Sequence, residues 1–142
     1  MIKNNEIRLG NYLNYMILDS VRQGQVTTVT KNRLVIDGIT SKYLCAEPIP
    51  LTEEWLINFG FEKVVYKDDK HGFGTEYHLR VNEYIFLNYS DDFSLNIYAN
   101  KKAMEDEIGV LPKWEAVKYV NQLQNLYFAL IGEELTLKKE TV

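Results

Sequence analysis

One amphipathic segment near the C-terminal end constrains the fold more than any other feature of this chain. From Trp114 to Leu135, apolar residues recur at helical spacing, and Gly132 can end the helix. The apolar positions are Ala116, Val120, Leu123, Tyr127 and Leu130, and the polar positions opposite them are Lys118, Asn121, Gln122 and Asn125. A helix with one apolar side must bury that side against another element. The pattern therefore predicts one long C-terminal helix packed on a sheet.

Length and composition predict one domain. A chain of 142 residues can bury a core without metals or disulfides, so residues 1–142 are expected to form a single domain, with a β-meander lobe over 1–46 and the remainder over 47–142. No stretch approaches the ~18 apolar residues of a membrane span, and the first residues lack an apolar signal run. Because Cys45 is the one cysteine, no internal disulfide can form. These features predict a cytoplasmic protein with no membrane partner.

Short alternating runs between Glu6 and Tyr43 predict strands. Turn-forming residues separate the runs at Gly10-Asn11, Gln23-Gly24, Lys31-Asn32 and Asp37-Gly38. Together they predict a small β-meander, for which an SH3-like barrel is one closed form. Because so few strands make a poor domain alone, the meander is expected to pack on the rest of the chain.

A short helix is predicted from Glu53 to Phe59. Thr52 suits the N-cap position, and acidic residues in the first turn favour the positive end of the helix dipole. Gly60 can adopt the left-handed conformation that ends a helix. Trp55 shares a side with Phe59, and its interpretation as a core anchor is favoured over a role as a ligand platform.

Three further strands are predicted at Glu76–Val81, Tyr84–Tyr89 and Phe93–Tyr98. Alternation puts one set of residues on a common face of this sheet: Tyr77, Leu79, Val81, Phe93, Leu95 and Ile97. If the C-terminal helix covers that face, the outward face carries His78, Arg80, Asn96 and Tyr98. The expected fold class is α+β: an N-terminal β-meander, a short helix, and an antiparallel sheet packed by one long C-terminal helix.

The sequence lacks the common motifs of catalysis. It has no phosphate-binding loop of the Walker type, no dinucleotide fingerprint, no exposed nucleophile motif and no His-Glu-x-x-His. Asp68, Asp69 and His71 cluster in one loop, but without a further ligand this composition is typical of a solvated turn. Cys45 is interpreted as a small buried hydrophobe. The prediction is a protein that is not an enzyme and uses no metal or cofactor.

The outward face of the predicted sheet carries groups that suit a nucleotide. His78 and Arg80 can donate hydrogen bonds to a phosphate or carboxylate. Tyr84 and Tyr98 can stack on a base, and Asn96 can read polar edges. A simpler interpretation stays open, because antiparallel sheets ordinarily present one solvated polar face.

Phe128 is the second candidate for binding. It falls on the side of the long helix that carries Asn121, Gln124 and Asn125, where a stripe facing only solvent should not hold a large apolar ring. Phe128 therefore predicts either an interface with a partner or a second copy, or a contact with another layer of the same chain.

Two segments resemble a family of small proteins encoded by phages and prophages of Bacteroidetes. The first is IPLTEEWL at residues 49–56 with FGF at 59–61, and the second is KYVNQLQNLYFAL at 118–130 with GEEL at 132–135. The opening EIRLGN at residues 6–11 is also similar to the start of that family. The resemblance implies a phage accessory protein in the cytoplasm of an infected bacterial host, and it transfers no site residues.

Three functions follow as hypotheses. The first is a non-catalytic sponge that sequesters a nucleotide immune signal of the cyclic or ADP-ribose type, through the outward sheet face or equivalent residues across a homo-oligomer. The second is an adaptor that binds a host or phage protein through Phe128 and the β-meander. The third is a nucleic-acid-associated protein, which would need a basic face built from Arg8, Arg22, Lys31 and Arg33. The balance of 16 basic against 20 acidic residues disfavours that third hypothesis.

Overall fold

The structure is a computed structural model that describes residues 6–41, 46–68, 72–105 and 117–138. The elements in chain order are β1 (Tyr12–Ile17), β2 (Ser20–Val29), β3 (Leu34–Ile36), β4 (Ile39–Ser41), β5 (Ala46–Pro48), α1 (Glu53–Asn58), β6 (Glu62–Asp68), β7 (Gly72–Arg80), β8 (Phe86–Ser90), β9 (Leu95–Tyr98), α2 (Lys101–Glu105) and α3 (Val120–Ile131). Some residues interpreted from the sequence lie outside the described ranges, namely Cys45, Asp69, His71, Trp114 and Ala116.

The chain divides into two compact units. The first comprises Met1–Leu51 and Lys118–Leu135, and the second comprises Thr52–Val117 and Thr136–Val142. Each holds one antiparallel sheet, with strand order β4-β3-β2-β1-β5 in the first and β6-β7-β8-β9 in the second. Two antiparallel sheets and a few helices confirm the predicted α+β class. None of the helices in the described ranges is long and apolar enough to cross a bilayer.

The long strand β2 organises the first sheet. Its first half, Ser20 to Gln25, pairs with β1, and from Val26 onward it pairs with β3. The register shifts between Val26 and Thr28, and β5 pairs with the other edge of β1. The strand order is that of a meander with β5 added beside β1, and among the described residues no ladder between β4 and β5 closes it into a barrel.

Gly24 lies inside β2, between side chains of β1 and β3. A Cβ built at this position would lie 2.5 Å from Oδ2 of Asp37, 2.6 Å from Cγ2 of Ile36 and 2.8 Å from Cε1 of Tyr15. Such distances are shorter than ordinary van der Waals contacts, so no larger residue fits without a shift of its neighbours. The glycine that the sequence indicated as a turn former therefore permits close packing within the sheet.

Helix α3 belongs to the first unit, where it contacts β1. It begins at Val120 with Tyr119 as its N-cap, later than the sequence predicted, because residues 117–119 are not helical and the backbone of Tyr119 is extended. Gly132 ends it in the left-handed conformation with φ of 80°, as the sequence predicted. Val120 N donates to Ile49 O at 2.9 Å, so the start of the helix is tied to the segment after β5. The sequence had placed this helix on the C-terminal strands. Helical periodicity identifies the buried side of a helix but not the element that covers it.

The polar side of α3 is covered by the same chain, one of the two alternatives that Phe128 left open in the sequence, because it binds the start of β1 and the segment before it. Gln124 Oε1 accepts from Tyr12 N at 2.9 Å, and its Nε2 donates to Gly10 O at 3.0 Å. Asn121 Nδ2 donates to Glu6 O at 3.2 Å. Gln124 and Asn121 are consequently buried. Their amides satisfy backbone groups that would otherwise lack partners inside the protein.

Helix α1 confirms the predicted caps. Trp55 N donates to Oγ1 of Thr52 at 3.5 Å, Phe59 is the C-cap, and Gly60 follows with φ of 100°. Phe59 is fully buried, and the half-buried Trp55 packs on its ring with centroids 5.7 Å apart. These contacts favour the interpretation of Trp55 as an anchor of the short helix.

Strands β8 and β9 begin later than predicted. β8 starts at Phe86 rather than Tyr84, and β9 starts at Leu95 rather than Phe93. Residues 82–84 form a bend, and Phe93 has φ of 67°, so turn geometry removes these residues from the ladders. Tyr84 and Phe93 are therefore exposed instead of lying within strands.

One face of the second sheet is an apolar core. Leu87, Leu95 and Ile97 are buried on it, in agreement with the predicted alternation of the last strand. Tyr89 shares this face, and its hydroxyl donates to Val117 O at 2.6 Å. Burial raises the pKa of Tyr89 to about 12. The opposite face carries the candidate site.

Candidate functional site

Strand register brings the predicted ligand residues of the second sheet together on one face, which we call the polar face. Two neighbouring rungs cross β7, β8 and β9 on it. The first rung is Arg80, Phe86 and Tyr98, and the second is His78, Asn88 and Asn96. Directly opposed residues of antiparallel strands share a face, so their side chains are neighbours. The sequence had identified the members from the outer two strands and missed both members from the central strand β8.

The polar face is not the open, outward surface that the sequence predicted. The exposed fraction of His78 is 8% and that of Asn88 is 4%. Asn96 and Tyr98 are half-buried, and only Arg80 at the end of β7 is exposed among the predicted members on these strands. Alternation along a strand identifies which residues share a face, but it does not reveal whether that face is covered.

Glu76 ties His78 and Asn88 together. Its Oε2 lies 3.0 Å from Nε2 of His78 and accepts from Nδ2 of Asn88 at 3.0 Å. The hydrogen bond to His78, with further hydrogen bonds from Asn88 and Tyr66, lowers the pKa of Glu76 despite its partial burial. His78 also packs edge-on against Phe86, with ring centroids 5.5 Å apart. The His78 ring is therefore held between Glu76 and Phe86 and is not free to bind a ligand.

A cleft of about 370 Å³ opens beside Phe86, where β7 ends, β8 begins and α2 starts. We call it the Arg80 cleft. It is lined by Arg80, Asn82, Glu83, Phe86, Asn100 and Lys102. Its volume falls within the range of small-ligand pockets, which is roughly 300–1,000 Å³.

Two asparagines hold the walls of the Arg80 cleft in place. Oδ1 of Asn82 accepts from Tyr84 N at 2.7 Å, and the hairpin loop is closed by a bond of 3.0 Å from Val81 N to Ile85 O. Oδ1 of Asn100 caps α2 by accepting from the backbone N–H of the third residue beyond it, at 2.8 Å. Because both oxygens are committed to the backbone, the two side chains can offer their amide N–H groups to a ligand.

The charged groups of the Arg80 cleft are uncommitted. Within the described ranges, no ion pair or hydrogen bond engages the side chains of Arg80, Glu83 or Lys102. By contrast, Arg8 pairs with Glu134 elsewhere in the chain. Two free cations beside an aromatic ring can hold an anion that carries a flat, apolar group.

Not every predicted residue reaches this cleft. Arg80 lines it, and Tyr84 is exposed on the same hairpin loop as Asn82. Asn96 and Tyr98 lie on the polar face but are not among its lining residues. The sequence missed the lining residues from the loop and from α2. Asn82 before a bend and Asn100 before a helix are local signals that could have indicated these walls.

Phe128 and Arg8 form a contact of their own in the first unit. The guanidinium carbon of Arg8 lies 4.0 Å from the centroid of the Phe128 ring, and NH1 donates to Oδ1 of Asn125 at 3.0 Å. Phe128 keeps an exposed fraction of 39%. Arg8 is thus engaged by α3 and by Glu134, and it contributes little to the basic face that nucleic-acid binding would need.

The first unit contains a second cavity of about 660 Å³ beside the start of α3. Asn121 and Asn125 line it, but their amide N–H groups already donate to Glu6 O. Oδ1 of Asn121 is buried and has no hydrogen-bond partner within the described residues. Its lining offers no uncommitted cation, so the Arg80 cleft remains the stronger candidate.

In the part of the chain that the structure describes, no group of three or more His, Cys, Asp or Glu side chains is arranged to hold a metal ion. Comparisons of the whole chain with models of protein families, with curated proteins and with solved structures found no match. The geometry and chemistry of the Arg80 cleft are therefore the grounds for assigning it a function.

Proposed function

We propose that this chain is a non-catalytic binding protein that holds a nucleotide in the Arg80 cleft. The observation that carries the proposal is the pairing of two uncommitted cations, Arg80 and Lys102, with the ring of Phe86 in one small cleft. A guanidinium binds a phosphate through two parallel hydrogen bonds, and an ammonium adds a second positive charge. Phe86 is 9% exposed and lines the cleft, so the part of its ring that faces the cleft offers an apolar contact to a base.

Two features support binding rather than turnover. The Glu76 and His78 pair, which could serve in acid–base chemistry, is not among the residues that line the cleft, and the His78 ring packs against Phe86. A general base must come within hydrogen-bond reach of the proton that it removes. Among the described residues, the lining side chains offer charge, amide N–H groups and the carboxylate of Glu83, and they include no serine, cysteine or histidine.

The resemblance to small phage proteins of Bacteroidetes supports a role for nucleotide binding during infection. A phage protein that binds a nucleotide without altering it could sequester an immune signal in the cytoplasm of the infected host. We therefore propose a sponge for a signal of the cyclic or ADP-ribose type. Because the cleft is open at the surface of a single chain, two copies of the chain could share one ligand.

The test is capture and release. Purified protein is incubated with a panel of cyclic dinucleotides, cyclic trinucleotides and cyclic ADP-ribose isomers, separated from free ligand, and heated. Recovery of an intact nucleotide is the expected result. Arg80→Gln and Lys102→Gln should each weaken capture by about tenfold or more, because each removes a charge-assisted hydrogen bond.

Two matched variants serve as controls for the loss of positive charge. Arg22→Gln on β2 and Lys67→Gln on β6 alter exposed side chains that do not line the cleft, and capture should be unchanged. A panel in which every nucleotide stays free in solution would overturn the proposal. Recovery of a cleaved product would replace the sponge with an enzyme.

A second candidate function is an adaptor for a host or phage protein, and one observation favours it. The hairpin between β1 and β2 exposes Met16, Leu18 and Val21, and the exposed fraction of Leu18 is 91%. Leu18 also has φ of 53°, a conformation that costs a leucine roughly 1 kcal/mol or more. Exposed apolar surface retained together with backbone strain is typical of a recognition element.

Leu18→Asn separates the two candidate functions. Asparagine tolerates a positive φ, so the variant should be as stable as the parent or more stable, while an adaptor would lose its partner. Leu9→Asn is the control, because Leu9 is exposed without a positive φ. Nucleotide capture should be unchanged in both variants. Unaltered partner recovery from an infected-cell extract with Leu18→Asn would remove the hairpin from consideration.

A further inference from the structure

We propose that the ligand of the Arg80 cleft is a ribonucleotide, with the carboxylate of Glu83 accepting hydrogen bonds from the ribose hydroxyls. This inference rests on the proposed function, and it assigns to Glu83 the choice between ribose and deoxyribose. It starts from a feature that simple anion binding does not explain. Among the described residues, one carboxylate lines a cleft whose other charged lining residues are cations.

Glu83 is held at the cleft by a closed loop. Val81 N donates to Ile85 O at 3.0 Å, and Tyr84 N donates to Oδ1 of Asn82 at 2.7 Å. These bonds fix the backbone on both sides of Glu83. The carboxylate is therefore presented by an ordered hairpin loop and not by a loose segment.

Glu83 does not serve to neutralise the cations of the empty cleft. No ion pair joins it to Arg80 or Lys102, and none of the three side chains has another partner within the described residues. A free carboxylate repels phosphate through its charge. Its presence therefore disfavours a simple anion such as inorganic phosphate and favours a ligand that also brings hydrogen-bond donors.

The ribose hydroxyls are the donors that a nucleotide can offer. An ionised carboxylate only accepts hydrogen bonds, and each ribose hydroxyl can donate one. Ribose joins the base to the phosphate. With phosphate at Arg80 and Lys102 and the base against the part of Phe86 that lines the cleft, the sugar between them would meet the polar lining that includes Glu83. Acidic side chains bind ribose hydroxyls in the same way in dinucleotide-binding folds.

The choice of sugar should be measurable as a ratio of affinities. A 2′-deoxy ligand leaves one acceptor site of Glu83 without a partner while keeping the repulsion between carboxylate and phosphate. Loss of one hydrogen bond to a charged group corresponds to about tenfold in affinity. The ratio of the two dissociation constants is therefore the quantity to test.

The experiment titrates the full chain with ADP, 2′-deoxy-ADP and inorganic pyrophosphate by calorimetry at low salt. The parent protein should bind ADP about tenfold more tightly than 2′-deoxy-ADP. Glu83→Gln should reduce that ratio towards one and should bind pyrophosphate more tightly, because the repulsion is gone. Glu54→Gln removes one exposed carboxylate from α1, outside the cleft, and should leave all three affinities unchanged.

The outcomes separate this inference from the proposed function. Equal affinity for both nucleotides in the parent protein, or a ratio that survives in Glu83→Gln, overturns the role of Glu83 and leaves the nucleotide cleft standing. Absence of binding by both nucleotides overturns the ribose selection, and the nucleotide cleft falls with it when the panel of cyclic nucleotides and cyclic ADP-ribose isomers also stays free in solution. Tighter pyrophosphate binding without a change in the nucleotide ratio would assign Glu83 an electrostatic effect alone, which also overturns the inference.

Discussion

The guanidinium of Arg8 lies over the ring of Phe128, with its carbon 4.0 Å from the ring centroid, although the two residues are separated by most of the chain. The same guanidinium donates to Asn125 at 3.0 Å and pairs with Glu134. The segment before β1 is thereby held against the side of α3 that carries Asn125 and Phe128. Part of the apolar ring that suggested an interface in the sequence is covered by the protein itself.

Arg8 and Phe128 should be energetically coupled. In a double-mutant cycle with Arg8→Ala and Phe128→Leu, we expect a coupling free energy of about 0.5–1 kcal/mol, the usual range for a cation–π contact at an exposed site. Urea unfolding monitored by circular dichroism would measure it. Arg22→Ala combined with Phe128→Leu is the control and should show simple additivity. Additivity of the Arg8 pair as well would mean that the contact contributes no stability.

Gly24→Ala should destabilise the protein. The added methyl would lie within 2.8 Å of side-chain atoms of Asp37, Ile36 and Tyr15, so these buried or turn side chains must shift. Overpacking of this kind costs about 1–3 kcal/mol. The measurement is the free energy of unfolding in urea. Gly74→Ala is a matched control within β7, since a Cβ there meets no atom within 4 Å. A loss for Gly74→Ala as large as that for Gly24→Ala would contradict the packing argument.

Glu76 should make stability depend on acid pH. Its pKa in the folded protein lies below the ordinary value of 4.5, chiefly because of the hydrogen bond to His78. Its contribution to stability is therefore present above about pH 4.5 and is lost as the pH falls through the lower, folded-state pKa. Unfolding by urea at a series of pH values should show this loss in the parent protein.

Glu76→Gln removes the titrating group from that series. The variant should be less stable by about 1 kcal/mol at neutral pH, and its stability should fall less steeply below pH 4.5. Glu54→Gln, on the exposed side of α1, should follow the parent protein. If the free energy of unfolding of Glu76→Gln falls below pH 4.5 as steeply as that of the parent protein, other carboxylates cause the loss of stability in acid.

Structural features that are determined by a few neighbouring residues could be predicted from the sequence. Thr52 and Gly60 bound α1 as expected, and Gly132 ends α3, because caps act within one turn of the helix. The shared face of His78 and Arg80 was also predictable, since side chains alternate along any strand. Strand starts were less accurate, because a bend before Phe86 overrides the local β propensity.

The Arg80 cleft was only partly predictable. The sequence predicted Arg80 as a phosphate ligand. It also predicted Tyr84, which lies on the adjacent hairpin loop, as a stacking partner for a base. Phe86 was missed because its role follows from its register with Arg80. Lys102 was missed because nothing in a polar segment indicates that it borders the end of a sheet formed by residues about twenty positions earlier.

The sequence by itself determined the α+β class, the caps of α1, the C-terminal end of α3 and the alternation of the strands, because each depends on the conformation of a few adjacent residues. The tertiary structure alone decided that α3 packs beside β1, that Asn121 and Gln124 are buried, and that Lys102 joins Arg80 at one cleft. These outcomes depend on which distant segments pair. The pairing of distant segments is determined by the packing and hydrogen bonding of the whole chain, and no local sequence pattern encodes it.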